Sequence, residues 1–142
     1  MLDELFYYNR DMNEELEQYI AKHQKNREKS ESFVDYLYEL MEKHQIENPA
    51  DVYKKAFLSR QLYSSIISAK SSPSLNACIK LALAMHLDNH ECKYLLKKAG
   101  YTLSSSSRFS LTIRFAIENH IYDIYEVNKL LIDAGYEDSL LL

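Results

Sequence analysis

The chain reads as an all-α protein, and three observations say so. It holds only two glycines and two prolines in 142 residues, so few positions interrupt a helix. Apolar residues recur at three- and four-residue steps, the period of an amphipathic helix. Nowhere do Val, Ile or Thr alternate between turn residues as a half-buried strand requires. The expected architecture is eight helices, an amino-terminal amphipathic helix over 1–30 and a helical domain over 31–142. That length suits one domain with a real core.

Composition is that of an ordinary soluble protein, with 46% apolar and 27% charged residues. Twelve tyrosines are many for this length and are expected to pack their rings while keeping their hydroxyls wet. The net charge of −4 is unevenly spread. Residues 1–50 carry −6, residues 51–100 carry +5 and residues 101–142 carry −3. Cys78 and Cys92 are too few for a disulfide scaffold, which implies reduced thiols and a cytoplasmic protein. The opening MLDELFYYNRDMNEEL is acidic and lacks the apolar run of a signal peptide. No run approaches the ~20 apolar residues that span a bilayer, so no membrane partner is expected.

The first helix carries Leu2, Leu5, Phe6, Met12, Leu16, Tyr19 and Ile20 on one face. A helix with such a stripe and no local partner either pairs with another subunit or packs on its own domain. The polar run over 24–32 marks a boundary. Ser32 then caps a helix with Phe33, Leu37, Leu40, Met41 and His44 inward. Asn48, Pro49 and Asp51 supply an N-cap, a first helical residue and a capping-box acid, and turn Val52, Tyr53 and Ala56 inward. Ser59 caps the next helix, over 60–69, with Leu62 and Ile66 inward. Two helices joined by so short a break suggest helix-turn-helix geometry, the second helix being presented outward. Pro73 and Ser74 introduce a helix over 75–87, apolar almost all round and therefore central.

From there the chain repeats itself. Residues 79–101 and 113–136 align with one extra residue, Tyr122. Each copy is a helix, an Asp N-cap with Glu three residues on (Asp88/Glu91 and Asp123/Glu126), and a second helix ending Leu-Leu-x-x-Ala-Gly-Tyr. Gly100 and Gly135 sit where a left-handed residue ends a helix, so they are explained as caps rather than as a phosphate loop. The repeat implies two stacked helical hairpins. Ser104–Ser107 supply a cap for a helix beginning near Arg108, and the apolar tail Ser139-Leu140-Leu141-Leu142 is expected to pack on the domain or on a partner.

The run Leu58-Ser59-Arg60…Ile66…Lys70…Pro73-Ser74-Leu75…Lys80-Leu81-Ala82…Ala84 resembles the λ-repressor-like (Xre-type) helix-turn-helix domain over about residues 33–87. Residues 88–142 resemble the region that follows such a domain in a group of bacterial proteins. The resemblance implies a sequence-specific regulator of double-stranded DNA, often a repressor and often a homodimer. Helix 60–69 would enter the major groove. Arg60 would pair with guanine and Gln61 with adenine. Ser59, Ser64 and Ser65 would touch bases or phosphates, with Lys54, Lys55, Lys70 and Ser72 along the backbone. The chain departs from the family pattern at four places. Pro49 replaces a glutamine that reaches DNA, Phe57 the turn glycine, Ile67 a glutamate and Ala69 the glycine after the outward helix.

Other constellations carry less. His86, His90 and Cys92 would form a metal site only on one continuous face, which the Asp88 cap interrupts, so neither metal nor cofactor is expected. His120 repeats His86, which favours a shared structural role. Cys92 lies in a first turn, where a thiolate is favoured, but no partner motif makes it catalytic. Neither a Gly-rich phosphate loop nor a hydrolase motif is present, so an enzyme is not expected. The alternative to a DNA regulator is a protein-interaction adaptor or inhibitor on the same fold.

Overall fold

A Ser, Asn or Asp side chain starts each helix that follows residue 31. The N-caps are Ser32, Asn48, Ser59, Ser74, Asp88, Ser107 and Asp123, each with extended backbone and a side-chain oxygen accepting from the first-turn amides. These caps fix α2 (Phe33–Lys43), α3 (Pro49–Lys55), α4 (Arg60–Ile67), α5 (Leu75–Ala84), α6 (Asn89–Lys98), α7 (Arg108–Glu118) and α8 (Ile124–Asp133). An earlier helix, α1, covers residues 11–23. The computed structural model describes residues 11–23, 31–136 and 141, and among these the only regular structure is helical.

The chain divides into two compact units, Met1–Glu31 and Ser32–Leu142. In the first unit, α1 carries Met12, Leu16, Tyr19 and Ile20 exposed at helical spacing, with the Tyr19 and His23 rings 4.2 Å apart. Leu2, Leu5 and Phe6 lie outside the described residues.

In the second unit α5 is central. Cys78, Ile79, Leu81, Ala82 and Leu83 are fully buried, and α5 packs on α6 and α3. α2 lies on α6, α4 on α3, and α7 against both α6 and α8. Leu141, from the tail, is also buried, and its N–H donates to Asn128 Oδ1 at 2.7 Å inside the core. Ser139, Leu140 and Leu142 lie outside the described residues.

Helices end by one device. Gln45, Phe57, Ala69, His86, Gly100, His120 and Gly135 all have positive φ, each directly after a helix cap. At each, the next residue's N–H reaches back five residues, as in Leu58 N to Tyr53 O at 2.9 Å and Leu87 N to Ala82 O at 3.1 Å. This is the Schellman closure, and only two of its left-handed residues are glycine. It ends α4 at Ile67 and α5 at Ala84, short of the expected 69 and 87.

The register of α4 also differs from expectation. Leu62 is 42% exposed, and Tyr63 takes the inward position. The Tyr63 ring packs 5.1 Å from that of Tyr53, and its hydroxyl donates to Met41 Sδ at 3.9 Å. A tyrosine whose hydroxyl finds a partner can be buried where a wet rim position was expected.

Candidate nucleic-acid interface

α3 and α4 are joined by the four residues 56–59. Phe57 sits in that turn at φ +55, and Ala69 holds the same conformation after α4 at φ +58. Both departures from glycine therefore keep the left-handed backbone and carry its strain, on the order of 1 kcal/mol each. The Phe57 ring meets Tyr125 edge-on at 5.4 Å, which ties the turn to the first turn of α8.

Tyr63 and Ile66 anchor α4 in the core and leave its other side open. Arg60, Gln61 and Ser64 are exposed there and line a shallow depression. Ser65 is half-buried, and its carbonyl accepts the N–H groups of Lys70 and Ser71 at 2.9 and 3.2 Å. Ser59 Oγ is engaged as the cap, accepting from Leu62 N at 3.0 Å. Lys54 and Lys55 close α3, and Lys70 and Ser72 follow α4, all four exposed. The fold thus leaves Arg60, Gln61 and Ser64 together, commits Ser59 to its helix and half-covers Ser65. Leu62, expected inward, is an additional exposed residue on α4, between Ser65 and the buried Ile66 in helical projection and so at the edge of the open side.

The electrostatics of this region come from sequence. No acid occurs from Val52 to Leu87, while Lys54, Lys55, Arg60, Lys70 and Lys80 all fall there. The ion pairs among the described residues are Lys43–Glu91 and His44–Glu91, so the cations around α4 form none with a described residue.

A second concavity lies behind the turn, where Lys55 and Phe57 face His86, Tyr122 and Tyr125. The His86 and Tyr122 rings stack nearly parallel at 4.4 Å, and the Tyr122 hydroxyl donates to Leu87 O at 3.2 Å. Burial, then the nearby Lys55 and His44 charges, lower the His86 pKa from its ordinary value. A neutral imidazole stacked on a phenol suits a packed corner. His120 repeats the left-handed corner of His86 and also lies against Tyr122. Tyr122, the one residue that breaks the repeat, thus packs against both corners, and that insertion was its only signal in the sequence.

His86, His90 and Cys92 have separate surroundings. Among the described residues no group of three His, Cys, Asp or Glu is placed to hold a metal ion. His90 lies beside the Tyr94 ring at 5.2 Å. Cys92 is fully buried, and burial foremost pushes its thiol up to about 12. The first-turn position does not favour the thiolate there, because desolvation outweighs the helix end. Among the described residues no helix is long and apolar enough to cross a membrane.

The chain matches no protein-family model, no curated protein and no solved structure.

Proposed function

We propose that the protein is a cytoplasmic, sequence-specific regulator of double-stranded DNA, of the λ-repressor-like (Xre-type) class and repressing as a homodimer, with α4 as the reading helix. One observation carries this reading. An exposed Arg60-Gln61-Ser64 face lies among cations that form no ion pair with a described residue, in a stretch free of acids. Arg60 and Gln61 have the side chains that pair bidentately with guanine and adenine in the major groove. Leu62 extends the list by offering an apolar contact for a thymine methyl. Lys54, Lys55, Lys70 and Ser72 follow the phosphates, and Ser59 contributes through its helix end rather than its hydroxyl.

The test is binding to genomic fragments that include the protein's own upstream DNA, read by gel shift or anisotropy. Three lysine–phosphate contacts predict a roughly 40-fold loss of affinity between about 50 and 200 mM salt. Arg60→Ala with Gln61→Ala should erase preference among fragments. No specific complex at low salt with any fragment would overturn the reading.

The second reading is a protein-interaction adaptor or inhibitor without DNA binding. It is favoured by the net charge of −4 and by α1, where Met12, Leu16 and Tyr19 are exposed beside Glu14, Glu15 and Glu17. One stoichiometric protein partner, together with no DNA complex, would select it.

A further inference from the structure

The last hairpin of the repeat ends on an apolar outer face. Leu111 and Phe115 of α7 are 45% and 52% exposed, and with Leu130 of α8 they line a shallow groove. The first copy of the repeat shows what such positions ordinarily meet. Their equivalents are Ala77, Leu81 and Leu95, each 3% exposed or less, within the packing of α5 and α6. Stacked repeats bury one continuous core. The outer face of the second copy presents Leu and Phe instead.

The pattern along α7 says what covers it. Arg108, Leu111, Phe115 and Glu118 are all exposed and fall at steps of three and four, on one stripe. From amino to carboxyl end the stripe reads basic, apolar, apolar, acidic. Turned end for end, it is its own complement. Leu111 then faces Phe115 of a second copy, and Arg108 faces Glu118. A parallel pair would set Arg on Arg and Glu on Glu. Neither Arg108 nor Glu118 is in an ion pair with another described residue. The acidic α1 is a poorer self-partner, because two copies of its Asp11, Glu14, Glu15 and Glu17 would repel.

We propose that two copies of the chain pair through α7, antiparallel about a two-fold axis near Ile113, each Phe115 seating in the Leu111–Leu130 groove of the other. The interface is isologous, as a two-fold dimer requires. A helix of this length is about 16 Å long, which places the contact among small, reversible, micromolar interfaces. The inference does not rest on the DNA reading, because association is measured without DNA.

Sedimentation equilibrium of the full chain across the micromolar range tests it. The wild type should dimerise and Phe115→Glu should be monomeric. Arg108→Glu and Glu118→Arg should each weaken association roughly tenfold, and the two combined should restore it. Both charge changes suit the helix dipole, an acid at the start of α7 and a base at its end, so each variant should keep its helical circular dichroism. A wild type monomeric throughout, a dimer that survives Phe115→Glu, or a combined variant no better than the singles would each overturn the proposal.

Discussion

Glu91 shows how one side chain can fasten two helices. Its carboxylate is buried, accepts from Asp88 N at 3.1 Å, and lies 3.0 Å from both His44 Nε2 and Lys43 Nζ. Burial pushes its pKa up, but the Asp88 N–H, His44 and Lys43 outweigh that and hold it below the ordinary 4.5. A depressed folded pKa contributes stability that is fully present above the unfolded value and lost as pH falls through the folded one. Glu91→Gln should therefore cost about 1–3 kcal/mol at neutral pH. The gap from wild type should be full above the ordinary 4.5 and narrow as pH falls below it. Urea unfolding at neutral and at acidic pH checks it, and a gap independent of pH would count against the ion pairs. The left-handed corners make a second residue-scale case. Ala69 carries φ +58 and is exposed, so Ala69→Gly should stabilise by about 0.5–1 kcal/mol. Gly100→Ala, where an added Cβ would meet no atom within 4 Å, should cost a similar amount through backbone strain alone. The N-caps were legible in the sequence, because Ser, Asn and Asp before a periodic run have a mechanism. Most corners were not, because five of them use residues with no left-handed signature. Phe57, His86 and His120 each set a ring against an aromatic neighbour, a contact invisible until the helices are assembled.

At the scale of an element, α4 decides what the molecule presents. Its existence and start were readable from Ser59, but its rotation was not. Leu62 and Tyr63 are adjacent apolar positions, and hydropathy prefers the leucine inside. The fold chooses the tyrosine, because Tyr53 supplies a ring and Met41 a sulfur for its hydroxyl. Tyr63→Ala should thus cost about 3 kcal/mol or more, as large buried aromatics do. Leu62→Ala should stay within about 0.5 kcal/mol. Chemical denaturation ranks the two variants. The reverse order would mean that α4 is turned by one position, which would also swing Gln61 off the open face. The candidate residues came as a set from the resemblance over residues 33–87, and the structure adds that Arg60, Gln61 and Ser64 are exposed together. The capping role of Ser59 was legible with the other N-caps, but the half-burial of Ser65 was not, because it depends on how α4 is turned against the core.

At the scale of the whole molecule, the helical class was legible in the sequence. The way the carboxyl end closes the core depended on a contact across thirteen residues that no local pattern announces. Asn128 is buried in α8, with its Oδ1 holding the Leu141 N–H and its Nδ2 without a partner. A buried amide is tolerable while that bond lasts and costly once it is lost. Removing residues 137–142 therefore does two things at once. It empties the space of a buried leucine, worth about 2–5 kcal/mol, and it strips Asn128 of its acceptor bond. Asn128→Ala in the full chain should cost about 1–3 kcal/mol, by leaving the Leu141 N–H unsatisfied. Combined with the truncation, the same substitution should cost much less, since the amide has already lost its purpose. A double-mutant cycle by urea unfolding measures the difference, with a coupling of about 1 kcal/mol or more expected. Strict additivity would mean that Leu141 is held by its side chain alone and that Asn128 is buried for some other reason.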